Sequence, residues 1–182
     1  MYGVADYMVP EDVKKKLEEK ITFADMKTKS LVEHKESLQK FANTVLSSKI
    51  ARNEVKKLGE IDNVVIEDMK NNGIDISSND ILISDKIILK YLNHPKGAKG
   101  AVVDFNRFYE IEKLVIKPTN IYEDTNSKAL VYAYTSPYDD EILKAIIHPN
   151  YKMSGNTINL LKSIGIVDKT MMNNNIQYRK IK

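Results

Sequence analysis

Between Asn120 and Ile166 the apolar residues alternate, where upstream they recur every three to four positions. The run from 129 to 134 sets Leu130, Tyr132 and Tyr134 against Ala129, Val131 and Ala133. The run from 142 to 148 sets Ile142, Lys144, Ile146 and His148 against Leu143, Ala145 and Ile147. The run from 157 to 166 sets Ile158, Leu160 and Ile164 against Thr157, Asn159, Leu161 and Ser163. Period two marks strands whose two faces meet different surroundings. Asp124-Thr125-Asn126-Ser127 and Ser136-Pro137-Tyr138-Asp139-Asp140 are turn material between them. Residues 120–123 add a strand before the first turn, and 176–181 supply an edge strand. Consecutive strands joined by short turns predict an antiparallel meander.

The first 75 residues read as helical. Pro10-Glu11-Asp12 suits a helix start, with Pro in the first turn and acids at the positive end of the dipole. Ser30-Leu31-Val32-Glu33 has the form of a capping box. Leu38, Phe41, Val45, Leu46 and Ile50 then recur at helical spacing, Val55 and Leu58 continue the stripe, and Gly59 is a stop. One long helix, or two joined near Ser47-Ser48, fit equally. Ile61, Val64, Val65 and Met69 share a face ending at Asn71-Asn72-Gly73. Next comes a short strand, Asp80-Ile81-Leu82-Ile83, and a helix begun by Ser84-Asp85 that ends at His94-Pro95. A second helix runs from Asp104 to Pro118. The expected class is α+β: a helical N-terminal part, residues 1–75, acting as a docking segment, then a domain over 76–182 with two helices packed on a four- to five-stranded antiparallel sheet.

The 182 residues contain no cysteine. That excludes disulfide frameworks, cysteine-ligated zinc, iron–sulfur clusters and thiol catalysis. No run approaches the roughly 18 apolar residues of a membrane span. The start carries no basic segment followed by an apolar one, so the expected location is cytoplasmic, in a host cell, or on a virion. The net charge is only +3. However, residues 142–182 hold Lys144, Lys152, Lys162, Lys169, Arg179, Lys180 and Lys182 against Asp168 alone. Such a stretch suits a polyanion, and equally a solvated strand face. Arg52, Arg107 and Arg179 are the only arginines, which argues against sequence-specific base readout in duplex DNA.

Two constellations carry candidate chemistry. Lys90 and His94 lie four apart on one helix face, followed by Lys96 and Lys99 on a glycine-flanked loop. A lysine that stabilises a phosphorane beside a histidine that moves a proton can break a phosphodiester. On the late strands Lys144, His148, Thr157, Asn159 and Ser163 form a polar set beside Tyr132 and Tyr134, suited to holding phosphate and stacking a base. A solvated sheet face explains the same residues, and a register slip of one would reverse the faces. His34, His94 and His148 lack metal-ligand spacing, Asp139-Asp140-Glu141 reads as a solvated turn, and no glycine-rich phosphate loop is present. No metal or cofactor is expected.

The segments ISDKIILKYLNH, LVIKPTNIYED, ALVYAYTS, EILKAIIHPN and GNTINLLKSI, in that order, resemble the phage-borne nuclease-like domains of the barnase, EndoU, colicin and RelE class. The likeness covers about residues 80–182. Lys90 and His94 fall at the helix position, Pro118 with Ile121-Tyr122 at the proline–strand junction, and Asn156-Thr157-Ile158 on the late strand. Where many such domains carry a second histidine on the first helix, this chain has Lys90. The resemblance implies a metal-independent endoribonuclease working by attack of the RNA 2′-hydroxyl on its own phosphate. Its catalytic set would be Lys90, His94, His148 and Thr157. Lys96, Lys99, Tyr132, Lys144, Asn159 and Ser163 would bind substrate. The alternative is a non-catalytic phage head-associated or host-interaction module, its N-terminal helices docking on a protein partner.

Overall fold

The computed structural model describes residues 31–92, 105–135, 141–174 and 176–182. Eight strands form one mixed sheet: β1 (Val32–His34), β2 (Glu54–Glu60), β3 (Asp80–Ser84), β4 (Asn120–Asp124), β5 (Leu130–Thr135), β6 (Glu141–Met153), β7 (Asn156–Asp168) and β8 (Tyr178–Lys180). Their spatial order is β1-β2-β3-β7-β6-β5-β4-β8. The helices are α1 (Leu38–Ser48), α2 (Asn63–Asn71), α3 (Asp85–Leu92), α4 (Phe105–Tyr109) and α5 (Ile111–Ile116), with a 3₁₀ turn over Lys169–Asn173.

The meander expected from period two is present: β4 through β7 pair antiparallel in sequence order, and β8 adds to β4. The α+β class holds, but the sheet and the N-terminal part expected within it do not. β1 pairs with β2 in parallel, and β3 pairs with β7 in parallel. The sheet is therefore eight-stranded and mixed, not four- to five-stranded and antiparallel, and residues 31–75 are not a helical extension but supply β1 and β2 to it.

The error has local causes. The Ser30–Glu33 stretch does not begin a helix, because Val32–His34 is the edge strand β1. Ser37 caps α1 instead, accepting the Lys40 N–H. The helix stops at Ser48, with Lys49 left-handed at φ 57°. Val55 and Leu58 mimic a helical stripe by their spacing of three, but on β2 they point to opposite faces. Val55 packs with Leu82, Ile158 and Leu160, while Leu58 joins the main core. Gly59 is no helix stop. It lies in β2, where a Cβ would come within 2.8 Å of Val115 Cγ1. The expected helix over 61–73 is α2, capped by Asp62. Gly73, at φ +88°, closes it, with the Gly73 and Ile74 N–H groups donating to the Lys70 and Met69 carbonyls.

All buried apolar residues of the α-helices join one cluster with a single face of the sheet. Leu38, Phe41, Val45, Val65, Met69, Ile88, Phe108, Ile111 and Leu114 meet Ile81, Ile83, Tyr132, Leu143, Ala145 and Ile147. The cluster draws on both sides of residue 75. On the opposite face lie two smaller apolar groups, one around Val131, Ala133, Ile142, Val167 and Met172, the other around Val55, Leu82, Ile158 and Leu160.

Candidate nucleic-acid interface

His148-Pro149 does not end a strand. β6 runs on to Met153 through an irregularity between His148 and Tyr151, where Asn150 adopts φ 56°. The Asn150 side chain holds this bulge: its Nδ2 donates to the Asp75 carbonyl at 2.8 Å, and its Oδ1 accepts from the Ser77 N–H at 3.1 Å. Ser154 (φ 49°) and Gly155 (φ 77°) then form a two-residue turn with both central residues left-handed, which matches strand twist. Tyr151, Lys152 and Met153 thus ride on a hairpin arm beyond His148.

Between this arm and the start of α3 lies a groove of about 270 Å³. Lys86, Lys152 and Lys162 line it with Tyr151, Ser84 and Asn53, and no carboxylate among the described residues lines it. The Lys162 ammonium stands 4.5 Å from the Tyr151 ring centroid and donates to the Tyr151 hydroxyl at 3.4 Å. Lys152 donates to Thr157 Oγ1 at 2.5 Å. Lys90, exposed, lies one helical turn beyond Lys86 and extends the cationic edge, its Nζ 5.2 Å from the Tyr91 ring centroid. None of Lys86, Lys90, Lys144, Lys152 and Lys162 makes an ion pair among the described residues. In contrast, Arg179 is held by Asp68 at 2.6 Å and Glu123 at 2.9 Å, and Lys182 by Asp62 at 2.7 Å. The C-terminal excess of positive charge therefore includes Arg179 and Lys182, held in ion pairs, and Lys144, Lys152 and Lys162, which make none among the described residues.

His148 is half-buried on the face away from the helices, beside this set. Burial pushes its imidazole below the ordinary 6.5, and the Lys162 charge pushes the same way, against a smaller opposing effect of Asp124. Asp124 itself is occupied by the Asn126 and Ser127 N–H groups and by Gln177. The ring is thus a neutral proton acceptor at neutral pH.

The late-strand constellation splits between two faces. Tyr132 pairs with Ala145, so it points with Leu143, Ala145 and Ile147 into the helix-side core, while Lys144 and His148 point the other way. Lys144 stands 6.0 Å from the Tyr178 ring centroid. Asn159 is 1% exposed and fully engaged: it donates to the Ser78 and Asp80 carbonyls at 2.6 and 2.9 Å and accepts the Asn150 N–H at 3.3 Å. It is a tie between β7, β3 and the β6 bulge, and has nothing left for a phosphate. Ser163 accepts from the Tyr91 hydroxyl at 3.5 Å, and that hydroxyl takes the Ile164 N–H at 3.0 Å. Thr157 is the partner of Lys152. His94, Lys96 and Lys99 lie outside the described residues. Lys86, Tyr151, Lys152 and Lys162 carry the groove without having been singled out. Lys86 was visible as the i−4 partner of Lys90, and Lys152 and Lys162 as members of the basic segment.

Among the described residues no cluster of three or more His, Cys, Asp or Glu side chains could hold a metal ion, and no helix is long and apolar enough to cross a membrane. No protein-family model, no curated protein and no solved structure matches the chain.

Proposed function

We propose that the chain binds RNA along the lysine groove and cleaves it by metal-independent transphosphoesterification. The observation that carries this reading is the groove with no carboxylate among its described lining, Lys86, Lys152 and Lys162 beside Tyr151, with His148 near enough for the Lys162 charge to act on its imidazole. Cations neutralise the strand's phosphates, and an aromatic ring gives a base a stacking surface. His148 takes the proton of a 2′-hydroxyl, and the 2′-oxygen attacks the adjacent phosphorus. Lys162 stabilises the charge gathered on the non-bridging oxygens, and the bond to the 5′-oxygen breaks. The leaving oxygen receives its proton from a second group, for which the sequence offers His94. The roles first expected of Asn159 and Tyr132 are withdrawn from this scheme.

The test is cleavage of single-stranded RNA in EDTA by the wild-type chain and by His148→Ala and His94→Ala. Loss of cleavage in His148→Ala, with RNA affinity kept, supports the assignment. Equal rates in all three remove both imidazoles. Salt-dependent binding without cleavage leaves the second reading, a non-catalytic phage head-associated or host-interaction module. The engagement of Thr157, Asn159 and Ser163 in protein contacts favours that reading.

A further inference from the structure

On the helix-covered side, away from the lysine groove, a cleft of about 370 Å³ opens between α5, the loop after β2 and β5. That is within the range of about 300–1,000 Å³ typical of small-molecule sites. Tyr132 lines it and is 1% exposed, yet its hydroxyl has no hydrogen-bond partner. A buried hydroxyl left unpaired is costly, and a ligand in the cleft could pair it. The Asp62 carboxylate is on the rim, near enough that its charge, after burial, raises the Tyr132 pKa. Ile116, 70% exposed, Pro118 and Ile61 supply apolar lining.

We propose that this cleft is a second binding site, for an uncharged flat heterocycle bearing an exocyclic amino group. The walls suit a flat apolar body. The Tyr132 hydroxyl oxygen and the Asp62 carboxylate are two neighbouring acceptors for the two hydrogens of an amino group. Asp62 receives the Val64 N–H on one oxygen and the Lys182 ammonium on the other, and each oxygen keeps a lone pair. Charge selects against an anion: Glu60 and Asp62 line the cleft, and Lys182, the only cation among its described lining residues, is already paired. An aminated nucleobase has this chemistry, either as a free nucleoside or as one base of a strand. The site uses none of the residues of the lysine groove, so each proposal stands or falls alone.

The probes are cytidine, uridine and cytidine 5′-monophosphate, titrated at millimolar concentration into the full chain and followed by amide chemical shifts. Cytidine and uridine differ at the ring position where one carries an amino group and the other a carbonyl. Cytidine is expected to move the Val115 and Ile116 signals and to bind about tenfold more tightly than the other two, the factor for one hydrogen bond of ordinary net strength. Tyr132→Phe removes only the hydroxyl and is expected to lose that factor while keeping its thermal midpoint. Ile116→Glu, on the exposed wall, is expected to weaken cytidine without unfolding the chain. A short oligocytidylate that binds with the same Tyr132 dependence identifies a strand as the source, and cytidine binding alone identifies a nucleoside. No shift with any probe, equal affinity for cytidine and uridine, or wild-type affinity in Tyr132→Phe overturns the proposal.

Discussion

Asn159 shows how a residue that suits phosphate binding in sequence serves packing in the fold. Its amide satisfies two buried carbonyls and one N–H. Asn159→Ala strands these groups and is expected to lower stability by about 2–3 kcal/mol in urea titration. Asn159→Asp is expected to cost more, because a carboxylate there faces two carbonyl oxygens. His148 carries the opposite kind of information. Its folded pKa lies below the unfolded value of 6.5, so as pH falls through 6.5 the unfolded chain binds the proton first. Stability must therefore decrease on acidification from that point, and His148→Gln is expected to flatten this dependence between pH 7 and 5 in urea midpoints. In the cleavage reading, the acid limb of the rate profile sits below an ordinary histidine's, and an acid limb above 6.5 would exclude His148 as the base.

Elements meet where no local pattern announces it. β2 and α5 approach so closely that a Cβ on Gly59 would sit 2.8 Å from Val115 Cγ1. Gly59→Ala is expected to destabilise by about 1–3 kcal/mol through overpacking, and Val115→Ala in the same chain to recover part of it, measured as a double-mutant cycle. The groove is likewise a product of two elements, the β6–β7 hairpin and the start of α3. Removing Lys86, Lys152 or Lys162 singly, each to Ala, is expected to reduce the slope of log affinity against log salt for single-stranded RNA by about 0.7, one phosphate contact each. Unchanged slopes in all three would place the RNA elsewhere. The β7 irregularity explains a misread face. Ile147 pairs with Leu161 but Ile146 with Ser163, so Lys162 is an extra residue in the ladder. Leu161 and Ile164, three apart, both enter the helix-side core. Strict alternation, which sets them on opposite faces, fails at that one position.

At the scale of the whole molecule, one core joins the two halves of the chain. β3 is bound on one side by β2 and on the other by β7. Residues 76–182 without the preceding segment would lose Leu38, Phe41, Val45, Leu58, Val65 and Met69 from that core. The fragment is expected to lack a cooperative thermal transition by far-ultraviolet circular dichroism, whereas the full chain unfolds its described part in one step. Within that architecture the sequence by itself determined what short-range geometry controls. The strands of the meander follow from the pleat, α2 and α3 from the three-to-four spacing of their apolar residues, and the close of α5 at Ile116 from Pro118 two residues on. Tertiary structure alone decided the parallel pairings of β1 and β3, the strand identity of 54–60, and which late polar side chains share a face. The reason is that pleat and capping are set by neighbours a few residues away. Pairing partners and bulges are set by contacts between residues as distant as Ile81 and Asn159, and no window of sequence contains both.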